Sequence, residues 1–552
     1  MSSDIVIRGG IVVDGSGAPG RRADVAIRGD RIEAIGSGLS ARRTLDASGQ
    51  IVAPGFLDLH THYDAQVFWD PALSPSCFHG VTSVIAGNCG FSLAPTRPEH
   101  RDTIARTLQN VEDMNVDTLS AGIPWDFESF PEYLESVRRR GTLLNFGAYL
   151  GHTALRLFAM GDAAYERAAS EAEVEQMAQV LAEGLAAGAA GFATSFAPTH
   201  QGVGGKPVPS RFAERREFEA LAAVVGRAGR GIVHVAPGER VSIPDLYEIQ
   251  PRVGRPFTYG ALLTFPGNGH LPLVALNDRG TAAGADVWPQ VSPRPLSFQI
   301  TLEDPFTLNV GSLFKPLMAG SRQQRIACYA DSDWRRRALE DLELQTMRPR
   351  WNTYEVAETQ KFPELVGRRI DAIARERGIS PLDLICELAL AEDLRTRFRC
   401  FLANDDAEGV AFLLTREHVV LGLSDAGAHV GQLCDACLPT DLLGSWVRER
   451  GVLSLERAVR KLSGEIADIL GLAGRGYLRE GAFADVAVFD PARVAPGPVR
   501  RVRDFPADAE RLTADRPEGV THVLVNGTPI RENGASTPEL LARRPGRLAR
   551  PA

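Results

Sequence analysis

From residue 81 onward, short apolar runs alternate with longer stretches of helical periodicity, and the alternation repeats. The runs are "VTSVIAGNCG", "TLLNFGAYLG", "AAGFATS", "GIVHVAP", "RPFTYGALL" and, much later, "VVLGLSD". Between them lie segments such as "EAEVEQMAQVLAEGLAAG" and "REFEALAAVVGRAG". In the first of these, apolar residues recur three and four positions apart, the mark of an amphipathic helix. Repeated strand-then-helix units require a parallel sheet. Their number favours a closed (β/α)8 barrel over an open sheet. The expected fold class is therefore α/β, a TIM-like barrel. The stretch from about 265 to 400 interrupts the rhythm: "QVSPRPLSFQITLEDPFTLNV" and "DSDWRRRALEDLE" read as an inserted loop-and-helix segment. Insertions in such barrels usually sit over the active-site face.

The two ends of the chain have a different texture. "DIVIRGGIVVDGSG", "ADVAIRGDRIEAIG" and "RTLDASGQIVAPG" are short apolar runs separated by turns, which read as hairpin-like strands. The same style returns in "GYLREGAFADVAVFD" and "THVLVNGTPI". The expected organisation is a small β-sandwich assembled from residues 1–54 and 475–552, the latter with a tail, around a barrel spanning 55–474.

Bulk properties exclude several function classes. The 552 residues carry 61 basic and 69 acidic side chains, a net charge of −8 without a basic block, so nucleic-acid binding is not expected. The first residues lack a basic segment followed by a long apolar one, and no apolar run is long enough to span a bilayer, so a cytoplasmic protein without a membrane partner is expected. Seven cysteines are too few for a disulfide scaffold. Cys434 and Cys437 have CxxC spacing but no second pair, and read as loop cysteines.

Chemistry-bearing residues fall at the ends of the expected strands, the rim where barrels place their function. In "GFLDLHTHYD", His60 and His62 are two positions apart, so they project from one face of an extended chain. Cys89 ends "VTSVIAGNC", His234 lies in "GIVHVAP", and Asp425 ends "VVLGLSD", with His429 shortly after. Imidazole, thiolate and carboxylate are the protein ligands of zinc. Cys89 also admits a reading as a nucleophile. His100, His418 and His522 occupy polar or turn contexts and read as surface residues.

"APGFLDLHTHYD", "GVTSVIAGNCGFSLAP" and "GLSDAGAHVGQ" together resemble the amidohydrolase superfamily, and within it the N-acyl-D-amino-acid deacylases. "GFATSFAPTHQGVGGKPVPSR" has the style of the same subgroup, and the resemblance spans nearly the whole chain. It implies a metal-bearing barrel with a terminal β-sandwich and one or two zinc ions. His60 and His62 match the first-strand pair. Cys89 matches the cysteine ligand that this subgroup uses where most dinuclear relatives use a carboxylated lysine. His234 matches the fifth-strand histidine, in the unlike context "VHVAPGER". Asp425 matches the eighth-strand aspartate, a ligand and general base. One departure stands out. The resemblance calls for a histidine at the end of the sixth strand, where "RPFTYGALLTFPGNGH" offers Thr264 near that place and His270 only further on.

The chemistry expected from these parts is hydrolysis of a linear amide by metal-activated water, with an N-acyl-D-amino acid or a similar N-acylated small molecule as substrate. His152, Arg156, His200, Arg211 and Arg294 are candidates for substrate contacts, the arginines for a free carboxylate. Two alternatives stay open: hydrolysis of a cyclic amide, carbamate or other C–N bond on the same fold, and a degenerate barrel that binds without turnover. A homo-oligomer is compatible with all three.

Overall fold

A computed structural model describes residues 3–202, 205–345 and 348–552. Val203 and Gly204, inside "GFATSFAPTHQGVGGKPVPSR", lie outside the described residues. Eight parallel strands follow one another around a barrel: Phe56–Asp58, Val81–Ala86, Asn145–Gly151, Gly191–Ser195, Ile232–Ala236, Phe257–Tyr259, Val287–Val291 and Val420–Leu421. The first and last are joined by a parallel bridge between Thr61 and Ala426. Helices between strands form where the sequence supplies both periodicity and caps. Ser170 and Glu173 make a capping box at the start of Glu171–Ala187, and Gly188 ends that helix at φ +107, a conformation that costs glycine little.

The seventh strand lies inside the segment read as the insertion, so that reading is corrected. Helix Leu271–Ala282 and strand Val287–Val291 continue the barrel rhythm. "VWPQV" hides its nature because Pro289 lacks an N–H for the ladder and Gln290 breaks the apolar run. The true insertion begins after residue 291. It holds an antiparallel sheet ordered Leu296–Ile300, Arg397–Ala403, Glu355–Glu358, and helices including Ser332–Glu343 and Pro381–Ala391. It has its own core around Phe314, Trp334, Tyr354 and Phe398. Phe298 and Phe306 bring it against His429, at ring-centroid distances of 5.4 and 5.9 Å.

Strands from both chain ends share one six-stranded sheet, in which Ile51–Pro54 pairs with Val486–Phe489. Alternation of side chains along these strands gives the sheet two working faces. Val52, Val486 and Val488 pack with Ile7, Val25 and Ile27 of a four-stranded N-terminal sheet. Ile51, Ala53, Ala487 and Phe489 face the barrel core. His522, read as a surface residue, is buried on strand Val520–Val525 opposite Val488. His100 is half-buried and His418 exposed. Two parts of the C-terminal segment leave the sandwich. The hairpin Arg500–Phe505 and Ala509–Thr513 reaches the loop after the eighth strand, where Leu512 N donates to Val430 O at 2.6 Å. The final residues run back along the barrel, where Ala549 N donates to Phe146 O at 2.8 Å. Among the described residues, no helix is long and apolar enough to cross a membrane.

Candidate metal centre

The "HTH" triplet is strung between neighbouring strands. Thr61 N and its hydroxyl both donate to Ile85 O, and His62 N donates to Ala426 O. With Thr61 committed to the barrel wall, His60 and His62 point together into the mouth, their ring centroids 5.5 Å apart. Asp64, four residues on, accepts from Gly87 N at 2.9 Å and so anchors the turn that carries Cys89. Gly87 is required there. It has φ +79, and a Cβ would lie 2.4 Å from Tyr149 O.

Five donor atoms converge at this rim. His60 Nε2 lies 3.0 Å from Asp425 Oδ1 and 3.8 Å from Cys89 Sγ. His62 Nε2 lies 3.8 Å from Asp425 Oδ1, and His234 Nε2 lies 4.0 Å from Cys89 Sγ. Within the cluster, His60, Cys89 and His234 form one triad of potential ligands, and His60, His62 and Asp425 another. Ligands of one tetrahedral zinc, bound at about 2.0–2.3 Å, stand roughly 3.3–3.6 Å apart, so the spacing fits an ion. The donor set also fits in its backbone. Cys89 at φ 54 and Asp425 at φ 44 are both held in left-handed conformations, which cost a non-glycine residue about 1–3 kcal/mol.

Outer partners orient the rings. Gln290 Oε1 meets His60 Nδ1, and Thr258 Oγ1 lies 3.0 Å from His234 Nδ1. A proton held on His60 Nδ1 leaves its Nε2 lone pair directed inward, while His234 Nδ1 faces both the Thr258 hydroxyl and, at 3.2 Å, Gln290 Nε2. His62 Nδ1 lies 3.3 Å from Glu112 Oε1 without a hydrogen bond between them, and Glu112 O accepts from His429 N at 2.6 Å. Asp64, Glu112, Thr258 and Gln290 were not anticipated. Gln290 is the penultimate residue of the unrecognised seventh strand, so nearness to the rim was the signal for it. Glu112 ends a helix, where nothing in the sequence marks it.

The electrostatics are those of a cluster built around positive charge. Burial alone would lower the His60 pKa, but the Asp425 carboxylate and then Cys89 reverse this and raise it well above its ordinary value. Burial and the neighbouring His60 pull His62 down to about 3, and the same causes lower His234. Burial would raise Asp425, yet His60 and His62 hold it well below the carboxylate range. Burial raises Cys89 and Glu112. Protons and a cation compete for these groups. The Asp425 side chain is 23% exposed against 2–3% for the first-strand histidines, so Asp425, with half-buried Cys89, is on the solvent side of the cluster.

The substrate-contact residues separate into two groups. His152 and Arg156 are fully buried and share Glu217, with His152 Nε2 at 2.9 Å and Nδ1 bonded to Thr194 Oγ1 at 2.8 Å. Arg294 pairs with Asp435 at 2.7 Å and Asp441 at 3.4 Å. Most of the polar atoms of these three are already committed to protein partners, which leaves them little to offer a substrate. His200 is held by Ser195 Oγ at 2.6 Å and lies close enough to the centre to act electrostatically on His62 and His234. Arg211 donates to His200 O at 3.2 Å and, among the described residues, makes no ion pair. His270 precedes helix Leu271–Ala282 without a side-chain capping bond, lies beside Phe412 and belongs to neither triad; the backbone N–H of buried Thr264 donates to Asn404 Oδ1. Neither supplies a sixth-strand imidazole.

A closed set of metal-type donors at the C-terminal rim of a (β/α)8 barrel defines a metallohydrolase class. The profile of the Amidohydrolase family matches residues 43–531, and the chain belongs to that family as a metal-dependent amide hydrolase. The chain is 31% identical to the N-acyl-D-glutamate deacylase of Alcaligenes xylosoxydans xylosoxydans, covering 99% of this chain and 96% of that protein. It is 30% identical to the D-aminoacylase of the same organism, over 97% and 96%. The crystal structure of N-acyl-D-glutamate deacylase from Bordetella bronchiseptica, complexed with zinc and a phosphonate mimic of the tetrahedral intermediate, superposes with a TM-score of 0.68 at 27% identity, covering all of both chains.

Proposed function

We propose that the chain deacylates N-acyl-D-amino acids or similar N-acylated small molecules, using zinc held by His60, His62, Cys89, His234 and Asp425. The convergence of three imidazoles, a thiol and a carboxylate beneath one opening carries this reading, and kinship to N-acyl-D-amino-acid deacylases supports it. Bound there, zinc supplies Lewis acidity, bringing the pKa of water from about 15.7 to near 7 and polarising an amide carbonyl. Asp425 receives the proton of the attacking water and returns it to the departing amine nitrogen, so the C–N bond breaks without expelling an amide anion. Its partly exposed carboxylate can reach both places, and His60 holds it in position. Gln290 and Thr258 keep the rings from turning. His200 and Arg211 line the side on which a substrate carboxylate is received, because the Arg211 guanidinium, which donates to Pro198 O and His200 O, makes no ion pair among the described residues.

The zinc-loaded protein, assayed for amine release from N-acetyl-D- and N-acetyl-L-amino acids alongside hydantoins and lactams, is expected to favour the D-configured linear amides. Ring opening without deacylation would move the assignment to cyclic amides. Full zinc occupancy with no turnover of any amide would favour the degenerate barrel.

A further inference from the structure

We infer that Arg501 is a positioning residue for the hydrolysis: it fixes the loop that carries Asp425 and His429 by fastening that loop to the insertion and to the C-terminal hairpin. The inference rests on the reading of Asp425 as the proton carrier. The hairpin Arg500–Phe505 and Ala509–Thr513 forms a two-stranded sheet of its own, outside the sandwich. Two strands alone are marginally stable in water, so this pair persists through what it packs against.

Its main neighbour is the loop after the eighth strand. Three successive carbonyls of that loop accept from three different places. Val430 O accepts from Leu512 N at 2.6 Å, Gly431 O from Arg501 Nη1 at 3.1 Å, and Gln432 O from Gln299 N of the insertion at 2.8 Å. The Arg501 guanidinium joins all three parts. Its Nη2 donates to Gln299 Oε1 at 2.9 Å and to Glu358 Oε1 at 3.1 Å, and its Nε donates to Glu358 Oε1 at 3.2 Å. Glu510 Oε1, on the facing hairpin strand, lies 3.6 Å from Nη1. Only 13% of the side chain is exposed, so these bonds are shielded from water. Every guanidinium nitrogen is engaged, in a planar fork that the single ammonium of lysine does not reproduce. Along the loop, Asp425 at φ 44 and His429 at φ 47 hold left-handed conformations, which non-glycine residues keep only where the surrounding structure imposes them. The ties at 430–432, with the bond from His429 N to Glu112 O, impose them here.

Arg501→Ala is compared with Arg500→Ala, which breaks an ion pair with Asp515 on the same hairpin. In the zinc-loaded proteins, kcat for N-acetyl-D-amino acids should fall by up to about 10²-fold in Arg501→Ala, the cost of a misplacement of about 1 Å, and hold steady in Arg500→Ala. Zinc content should match the unaltered protein, since the histidines and Cys89 keep the ion. Hydrogen exchange gives a readout independent of turnover: amides of residues 426–433 should exchange faster in Arg501→Ala and not in Arg500→Ala. Unchanged kcat, or unchanged exchange in the loop, would overturn the inference. A fall in kcat matched by loss of zinc would overturn it too, because Arg501 would then act on the metal and not on Asp425. If Arg501→Ala does not fold, Arg501→Lys takes its place with the charge kept, and no change in either readout would overturn the inference. An unaltered protein that hydrolyses no amide would overturn the deacylase reading, and loop exchange would still decide the role of Arg501.

Discussion

Two buried groups in this barrel pair histidine with carboxylate at strand ends, and they are built for opposite ends. His152, Glu217 and Arg156 form one; His60, His62, His234 and Asp425, with Cys89, form the other. In the first, both nitrogens of His152 have protein partners and the guanidinium answers the carboxylate. Its charges cancel and none of the three offers a surface to solvent. In the second, outer residues occupy the Nδ1 atoms of His60 and His234 while the Nε2 atoms converge on a thiol and a partly exposed carboxylate. Burial alone therefore does not mark a functional histidine. What distinguishes the two is whether the last lone pair is spent inside the protein or left pointing at a common centre.

Asp425→Asn tests that contrast with the largest effect. It keeps size and polarity but accepts no proton, so kcat should fall by about 10²–10⁴-fold while the protein still folds and retains part of its zinc. Rate and metal content must be measured on the same sample, because the carboxylate is also a donor. Glu217→Ala should do the reverse. Removing one partner of a buried ion pair costs about 3–5 kcal/mol of stability, readable by denaturant unfolding, with activity per folded molecule preserved.

The same triad predicts an acid response. Burial would raise Glu217, but His152 and Arg156 hold it down at about 2 against its ordinary 4.5. A depressed carboxylate contributes stability that is full above about pH 4.5 and fades as pH falls through about 2. Glu217→Gln should remove that part of the acid dependence, which paired unfolding curves at pH 6 and pH 3 would detect.

Cys89→Ser should weaken zinc binding well beyond any loss of fold, since the thiol is half-buried and a hydroxyl is a poor substitute for thiolate at zinc. Chelator competition measures it. If the variant keeps its zinc but loses activity, Cys89 acts as a nucleophile instead. The smallest effect belongs to Thr258→Val, which removes the hydroxyl behind His234. A loss of about 10–100-fold in zinc affinity is expected, as for other residues that orient a ligand from behind.

The barrel was legible because strands and helices differ in period. Seven of its strands announced themselves as apolar runs, and reading their ends as a rim singled out His60, His62, Cys89, His234 and Asp425, which the fold brings into one cluster although His234 lies at the middle of its strand. The seventh strand was not legible, because a proline and a glutamine interrupt it, and Gln290 was lost with it. Glu112 reaches His62 from a helix end, a contact that only the folded chain creates. Arg156 and Arg294 looked available in sequence because sequence cannot show that Glu217 and Asp435 already hold them. His522 looked polar and peripheral, yet its strand carries it under the sandwich.

The central claim is that the converging lone pairs exist to hold zinc with Cys89 among its ligands. Zinc-edge X-ray absorption on the purified, zinc-loaded protein tests it most directly. A sulfur scatterer at about 2.3 Å beside nitrogen and oxygen at about 2.0–2.2 Å is expected, with the sulfur lost in Cys89→Ser. A first shell without sulfur in the unaltered protein, or no ordered zinc at all, would contradict the account.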